Sequence, residues 1–224
     1  MPENLDGLIN INGDSVQALE IILLTTLIAL LPSLVIMCTS FTRYIITLSF
    51  LRNAMGTQQT PPNMVLVGIA LFMTLFTMSP VIDQISAEAY TPYTEEQITQ
   101  EEFFDRAQTP LKEFMLRNTE PSALGMFCDM AGQETPTSEE ASIQLPLRVI
   151  TPAFITTELK RAFEIGFYLY IPFLLIDIIV ASTLMSMGMV MLPPSMISTP
   201  FKLLLFVSIN GWELVFSTLV QTFH

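Results

Sequence analysis

Charged residues are scarce in this chain, and bases are scarcer than acids. Only 13% of the 224 residues are charged, with 9 Lys and Arg against 21 Asp and Glu, so the formal net charge is −12 at pH 7. A protein that binds nucleic acid needs a basic face to neutralise phosphates. This composition offers no such face, and we expect no nucleic-acid partner.

Histidine and cysteine are also nearly absent. The single histidine, His224, is the last residue and has no companion at metal-ligand spacing. The two cysteines, Cys38 and Cys128, fall where the predicted topology puts them on opposite sides of a membrane, so no intrachain disulfide is expected. We find no nucleophile–base constellation and no glycine-rich phosphate loop. The sequence therefore predicts neither an enzyme nor a metal or cofactor site.

Long apolar runs dominate the chain. Hydrophobic residues make up 51% of it, and the mean hydropathy is +0.54, which is typical of an integral membrane protein. Four runs are long enough to cross a bilayer as helices: Val16–Cys38, Met64–Ile82, Ile165–Met191 and Phe201–Phe223. They predict an all-α protein with two helical hairpins, one in residues 1–82 and one in residues 151–224.

An acidic segment, residues 83–150, separates the two hairpins. From Asp83 to Leu147 there are thirteen acids and three bases, so this stretch holds −10 of the net charge. Apolar residues recur in it near helical spacing and predict two short helices, Glu101–Gln108 and Pro110–Asn118, with Thr109 as the N-cap of the second. We expect a water-facing helical insertion.

Charges around the first apolar run predict the orientation. The tail before the run carries three acids and no base, whereas the predicted loop after it, Thr39–Asn63, carries Arg43 and Arg52 and no acid. The positive-inside rule then places the tail and the acidic insertion outside the cytoplasm. Because the tail also lacks the basic start of a signal peptide, we expect the first run to be retained.

Ionisable residues near and within the second hairpin are candidates for buried or assembly contacts: Glu158, Asp177 and Lys202. Helical spacing predicts the ion pairs Glu158–Arg161 and Lys160–Glu164. If a regular hairpin turns at Pro193–Pro194, Asp177 lies about 24 Å and Lys202 about 12 Å from the turn, so the two would stand at different heights. They could then meet across subunits or across a broken helix, or each could find a separate partner.

A methionine cluster precedes the two prolines and comprises Met185, Met187, Met189, Val190 and Met191. Methionine is unbranched and adapts to irregular neighbours. Pro193 and Pro194 are expected to break the helix, and irregular backbone at bilayer depth is tolerated only inside protein or beside a cavity. The cluster fits two interpretations, gap filling in a helical core or a deformable ring around a channel.

Five long segments carry a resemblance to a known family: TPPNMVLVGIALFMTLFTMSPVID, PLKEFMLRNT, PAFITTELKRAFEIGF, YIPFLLIDIIVASTLMSMGMVMLPP, and PFKLLLFV followed after three residues by GW. They resemble the FliP family of flagellar biosynthetic membrane proteins, whose relatives in virulence type III secretion are called SctR. Together they cover most of the chain from about Arg43 onward.

This resemblance implies a subunit of the flagellar export gate. In the family, five copies join a FliQ-like and a FliR-like subunit around a conduit for unfolded export substrates in the bacterial inner membrane, within the basal body. The resemblance also implies a gasket role for the methionine cluster, which Val190 interrupts here, and favours pairing of Asp177 with Lys202. Membrane lipid is the other expected partner.

Two other functions compete with the export gate. One is an ion or small-molecule transporter subunit that uses Asp177 as its proton or cation site. Against it, such transporters usually contain internal repeats, and the two halves of this chain show none. The other is an assembly factor that never lines a pore.

Overall fold

The computed structural model describes residues 25–26, 29–30, 32–33, 35–57, 59–136, 138–189 and 191–223. Most of the predicted first span, Val16–Cys38, lies outside these residues, as do Val190 and His224. In the described part of the chain the regular structure is helical and includes no strand, which confirms the all-α prediction.

From Phe41 onward, nine α-helices and one π-helical turn follow in order. The helices are α1 (Phe41–Ala54), α2 (Asn63–Ile85), α3 (Thr91–Thr94), α4 (Gln100–Asn118), α5 (Pro121–Met130), α6 (Glu139–Ile143), α7 (Leu147–Ser186), α8 (Pro194–Ser208) and α9 (Gly211–Gln221), counted over the described residues. The π-helical turn, Ser86–Tyr90, joins α2 to α3 without a break, so Asn63–Thr94 forms one stack of 32 residues.

Two helical segments are long and apolar enough to cross a membrane by themselves: Asn63–Thr94 and the 40-residue α7. The fourth predicted run, Phe201–Phe223, is divided between α8 and α9, which meet at a 65° bend and count as a third span only if taken together. The bend lies at Asn210, whose left-handed backbone (φ 51°) precedes the first residue of α9.

The core forms where α1 packs lengthwise against α7. Tyr44, Leu48 and Leu51 lie on one face of α1 and are fully or almost fully buried. The helices approach closely at Gly166, where an added Cβ would lie 2.6 Å from Cγ of Phe50. Helix α7 begins at Leu147, well before its predicted apolar run. Its polar first half is helical because α1, α4 and α5 pack against it.

The prediction of a loop over Thr39–Asn63 is wrong for most of that range. Residues Phe41–Ala54 are helical, and Arg43 is fully buried in the helix. Two arginines that interrupt an apolar sequence favour a loop, but in the folded chain the charge of Arg43 is paired with a carboxylate on another helix. The positive-inside argument therefore loses one of its two bases.

Between Gln100 and Asn118 the acidic insertion forms a single helix where two were predicted. Helix α4 runs unbroken through Pro110 and begins after Thr99, which forms a capping box with Glu102. Thr109 is inside the helix, and its hydroxyl donates to the Asp105 carbonyl (3.1 Å) instead of capping. Packing of the apolar stripe of α4 on α7 outweighs the hydrogen bond that proline cannot make.

Candidate functional site

Among the described residues, the most deeply buried charges are Arg43 on α1 and Glu158 on α7, whose side chains are both 0% exposed. The guanidinium binds the carboxylate in a bidentate manner. Nε donates to Oε2 (2.8 Å), and Nη2 donates to Oε1. Two charges removed from water are tolerated only when they are paired and their remaining hydrogen-bonding capacity is satisfied.

The end of α9 completes this site. Nη1 of Arg43 donates to the Thr222 carbonyl (3.1 Å) and to the Thr222 hydroxyl (2.8 Å). The guanidinium carbon lies 3.6 Å from the centre of the Phe223 ring, a cation–π contact. Tyr44, the next residue, contacts Phe223 edge-on and shares a hydrogen bond of 2.5 Å with Thr77 of α2. Arg43 thus joins α1 to α7 and to the end of α9.

The ion pairs predicted from helical spacing are wrong. Glu158 pairs with Arg43 rather than Arg161, and Nζ of Lys160 lies 2.9 Å from Oε2 of Glu120 rather than pairing with Glu164. Spacing within one helix identifies neighbours on its surface, but α1 and the start of α5 cover this part of α7. The hydrogen bond from Lys160 lowers the pKa of the Glu120 carboxyl.

A second charge cluster lies between α7 and α8. Nζ of Lys202 lies 2.6 Å from Oδ2 of Asp177, and it also donates to the Ala54 carbonyl at the end of α1 (3.1 Å). The Ser198 hydroxyl donates to Oδ1 of Asp177 (2.6 Å). The Lys202 side chain is 6% exposed and that of Asp177 is 36% exposed. The cluster ties α1, α7 and α8 together within one chain.

The expectation that Asp177 and Lys202 stand at different heights is wrong. Helix α7 ends at Ser186, nine residues after Asp177, and α8 begins eight residues before Lys202. Both residues are therefore about 12–14 Å from their helix ends. The predicted heights differ because they assume a turn at Pro193–Pro194, whereas the turn begins at Gly188. With the turn there, Asp177 and Lys202 pair without a broken helix.

This arrangement predicts a measurable coupling between the two charges. Asp177→Ala and Lys202→Ala should each destabilise the protein. The loss should be larger for Asp177→Ala, because it leaves the buried ammonium of Lys202, whose side chain is 6% exposed, without its carboxylate partner. In a double-mutant cycle the effects should be non-additive by about 0.5–3 kcal/mol, nearer the lower value because Asp177 is partly exposed. Denaturant unfolding of the purified protein in detergent measures this, and additive effects would show that the charges do not interact.

The methionine cluster surrounds the turn between α7 and α8. Helix α7 ends in a Schellman motif, in which Gly188 (φ 76°) donates to the Met185 carbonyl and Met189 donates to the Leu184 carbonyl, each at 3.0 Å. The helix break is therefore at Gly188. Pro193 and Pro194 instead begin α8, as its N-cap and first residue.

The methionines of this turn are exposed. Met185, Met187, Met189 and Met191 have exposed fractions of 66%, 63%, 45% and 97%. Val190 lies outside the described residues. These side chains do not fill a gap in the core that the described residues form.

Large apolar faces are also uncovered on α2, α7 and α8. In the most apolar 18-residue window of α7, only 11% is buried against the rest of the chain. Uncovered side chains include Phe72, Phe76, Phe167, Leu175, Ile179, Leu204 and Val207. Apolar surface on this scale marks contact with lipid or with other protein.

The cysteines do not contribute to a site. Cys38 and Cys128 are free thiols buried in the same hydrophobic cluster, and burial raises the pKa of the Cys128 thiol. No group of three or more metal-ligating side chains occurs in the described part of the chain.

Sequence reasoning identified Glu158, Asp177 and Lys202 but missed their neighbours. Ser198 precedes Lys202 by four residues, so helical periodicity could have placed it on the same face. Arg43 is the one base in a long apolar stretch, which signals a buried partner. Thr222 and Phe223 carried no such signal, because only the tertiary fold brings them to Arg43.

Comparisons with known proteins identify the family of this chain. The family model described as "FliP family" matches residues 23–219. A flagellar biosynthetic protein FliP from Aquifex aeolicus is 48% identical over 212 residues, covering 95% of this chain and 88% of the relative. The Pectobacterium carotovorum protein of that name is 50% identical (94% and 79% covered), and the Bacillus subtilis one is 47% identical (92% of each). The chain belongs to the FliP family.

Proposed function

We propose that this chain is a structural, pore-forming subunit of the flagellar type III export gate, which conducts unfolded substrates across the bacterial inner membrane. Five copies would join FliQ-like and FliR-like subunits around a conduit, with lipid against the outermost apolar faces. The observation that carries the proposal is the exposed methionine turn at the end of a hairpin whose apolar faces are uncovered.

Physical chemistry links this turn to a seal. Four exposed methionines on one turn offer flexible apolar side chains that could close around chains of different shape. Repeated around a ring, they would form a hydrophobic constriction, which excludes water and ions. The Schellman motif and the two prolines fix the backbone of the turn at both ends. Flexibility would then lie in the side chains.

The buried charges would serve assembly indirectly. Arg43–Glu158 and Asp177–Lys202 fix how α1, α7, α8 and the end of α9 pack within one copy. A ring of identical copies requires each copy to present the same apolar faces. We assign Glu158, Asp177 and Lys202 this role of holding the subunit in its assembly-competent shape.

The acidic insertion would lie outside the cytoplasm. This orientation is inferred from the positive-inside rule, in which Arg52 alone remains because Arg43 is buried. The proposed location is the inner membrane at the flagellar basal body.

The transporter alternative is not favoured. The charge of Asp177 is already balanced by Lys202, so a transported cation would have to compete with that ammonium for the carboxylate. In Asp177, Lys202 Nζ contacts one oxygen and the Ser198 hydroxyl donates to the other. The members of this family named above are flagellar biosynthetic proteins, and a structural role without catalysis fits that description.

Native mass measurement of the complex tests the proposal. Because a lone copy would leave most of the apolar window of α7 uncovered, we expect a homo-oligomer joined by other membrane subunits. Extraction should be in mild detergent from cells that make every subunit at natural levels. A stable monomer that restores export by itself would contradict the proposal.

A further inference from the structure

One face of the acidic insertion carries a group of aromatic side chains, which we call the aromatic face: Tyr90, Tyr93, Phe103 and Phe104. Ring centres lie 5.0 Å apart for Tyr93 and Phe103 and 5.4 Å apart for Phe103 and Phe104. The π-helical turn and the short α3 bring the tyrosines against the start of α4. A π-helical turn often marks a functional position in a helix.

Three of the four rings are open to solvent, and Phe103 is half-buried in contact with Tyr93 and Phe104. Tyr90, Tyr93 and Phe104 are between 41% and 58% exposed. Aromatic side chains are enriched at protein interfaces, because each offers a large, rigid contact area at a small entropic cost. Exposure of several aromatic rings to water is unfavourable. The aromatic face is therefore typical of a surface that another molecule covers.

The charge around the aromatic face is strongly negative. Residues 83–108 contain seven acids and one base, a net charge of −6, and all eight side chains are exposed. None of the three ion pairs found in the described residues involves these acids. The backbone N–H of Thr99 donates to the Glu102 carboxylate (2.9 Å), which lowers the pKa of Glu102.

We propose that the aromatic face docks a basic, amphipathic segment of a partner protein that is not a copy of this chain. Apolar side chains of that segment would pack on Phe104 and Tyr93. Lysine or arginine would lie over the rings or beside the surrounding carboxylates, because an aromatic face attracts a cation. Charge complementarity of this kind speeds encounter and rejects acidic partners.

A second copy fits this surface poorly. The chain has nine bases, all within the described residues. Arg43 and Lys202 are buried, Lys160 is paired with Glu120, and the remaining bases are spread over α1, α4 and α7. Six bases therefore remain, and one of them, Arg106, belongs to the acidic segment itself. A bilayer is also disfavoured, since anionic headgroups repel the same carboxylates.

Photocrosslinking in cells that assemble the whole complex tests this inference. A benzophenone amino acid would replace Phe104, and the matched control position is Met130, which is 73% exposed in α5 but outside the aromatic face. Crosslinked peptides would be identified by mass spectrometry. We expect the Phe104 probe to capture one segment of a different protein, with net positive charge and apolar residues.

The charge requirement is tested in the same experiment. Neutralising three acids together, with Glu95→Gln, Glu101→Gln and Asp105→Asn, should lower the crosslink yield at Phe104 about fivefold or more. The charge-conserving variant Glu95→Asp with Glu101→Asp should keep most of the yield. Normal mass of the purified complex would show that the variants still assemble, which separates this inference from the proposed function.

Four outcomes would overturn the inference. They are capture of a second copy of this chain, capture of lipid alone, capture of a segment without positive charge, and a yield at Phe104 no greater than at Met130. An unchanged yield after the three acids are neutralised would likewise remove charge complementarity as the basis of docking.

Discussion

Replacing Glu158 with alanine is expected to leave the chain largely unfolded or unable to assemble. The substitution strands the guanidinium of Arg43 in a site where both side chains are 0% exposed. Breaking a buried pair by removing one partner costs about 3–5 kcal/mol. Since a domain is stable by only about 5–15 kcal/mol, this loss is a large fraction of the total.

Arg43→Ala should be at least as damaging. It strands the Glu158 carboxylate and also removes the donor to the Thr222 carbonyl and the cation over the Phe223 ring. The double variant Arg43→Ala with Glu158→Ala should lose less than the sum of the single losses, because neither charge is then left alone.

Protease resistance and denaturant unfolding in detergent measure these effects. Lys160→Ala is the matched control, because Lys160 is on the same helix and pairs with Glu120 at the surface. It should change stability little, since solvent screens an exposed pair. A Glu158→Ala variant as stable as Lys160→Ala would contradict the assignment of Glu158 as a buried structural charge.

Replacing Met189 and Met191 with alanine should leave assembly intact but make the membrane leak ions and small solutes. Both side chains are exposed in the single chain and support no core, so their loss should not unfold it. In the proposed ring, however, each copy would lose two flexible apolar side chains at the narrowest point. A wider and less apolar constriction admits water, and ions follow.

Membrane conductance, or sensitivity of cells to small toxic solutes, gives the readout. Met130→Ala is the control, because Met130 is similarly exposed but belongs to the acidic insertion. The mass of the complex must be measured in parallel, since a misassembled complex would leak for another reason. If the substituted complex assembles normally and stays as tight as the parent, the constriction lies elsewhere.

The sequence predicted the helices better than it predicted their contacts. Apolar runs identified α2 and the second half of α7, because a long apolar stretch at this composition has few alternatives to a spanning helix. The first half of α7 was harder to foresee. Its charged residues suggest a solvated surface until α1 and the insertion are known to cover them.

Pairing of charges depended on tertiary structure in both sites. Arg43 and Glu158 are 115 residues apart, and no spacing rule connects them. Asp177 and Lys202 were identified as partners through the resemblance, but the register of their hairpin depended on where the turn begins. Gly188 marked that position in the sequence, as the residue able to take the left-handed conformation that ends a helix. Pro193 and Pro194 are a stronger helix-breaking signal, but they lie at the start of the next helix and not at the turn's beginning.

The most direct test of the account is an image of the purified complex by electron cryomicroscopy. We predict several copies of this chain around a central conduit, with the turns that carry Met185, Met187, Met189 and Met191 converging on its narrowest point. A complex in which this chain surrounds no conduit, or in which these turns face lipid, would contradict the proposal that it forms the pore.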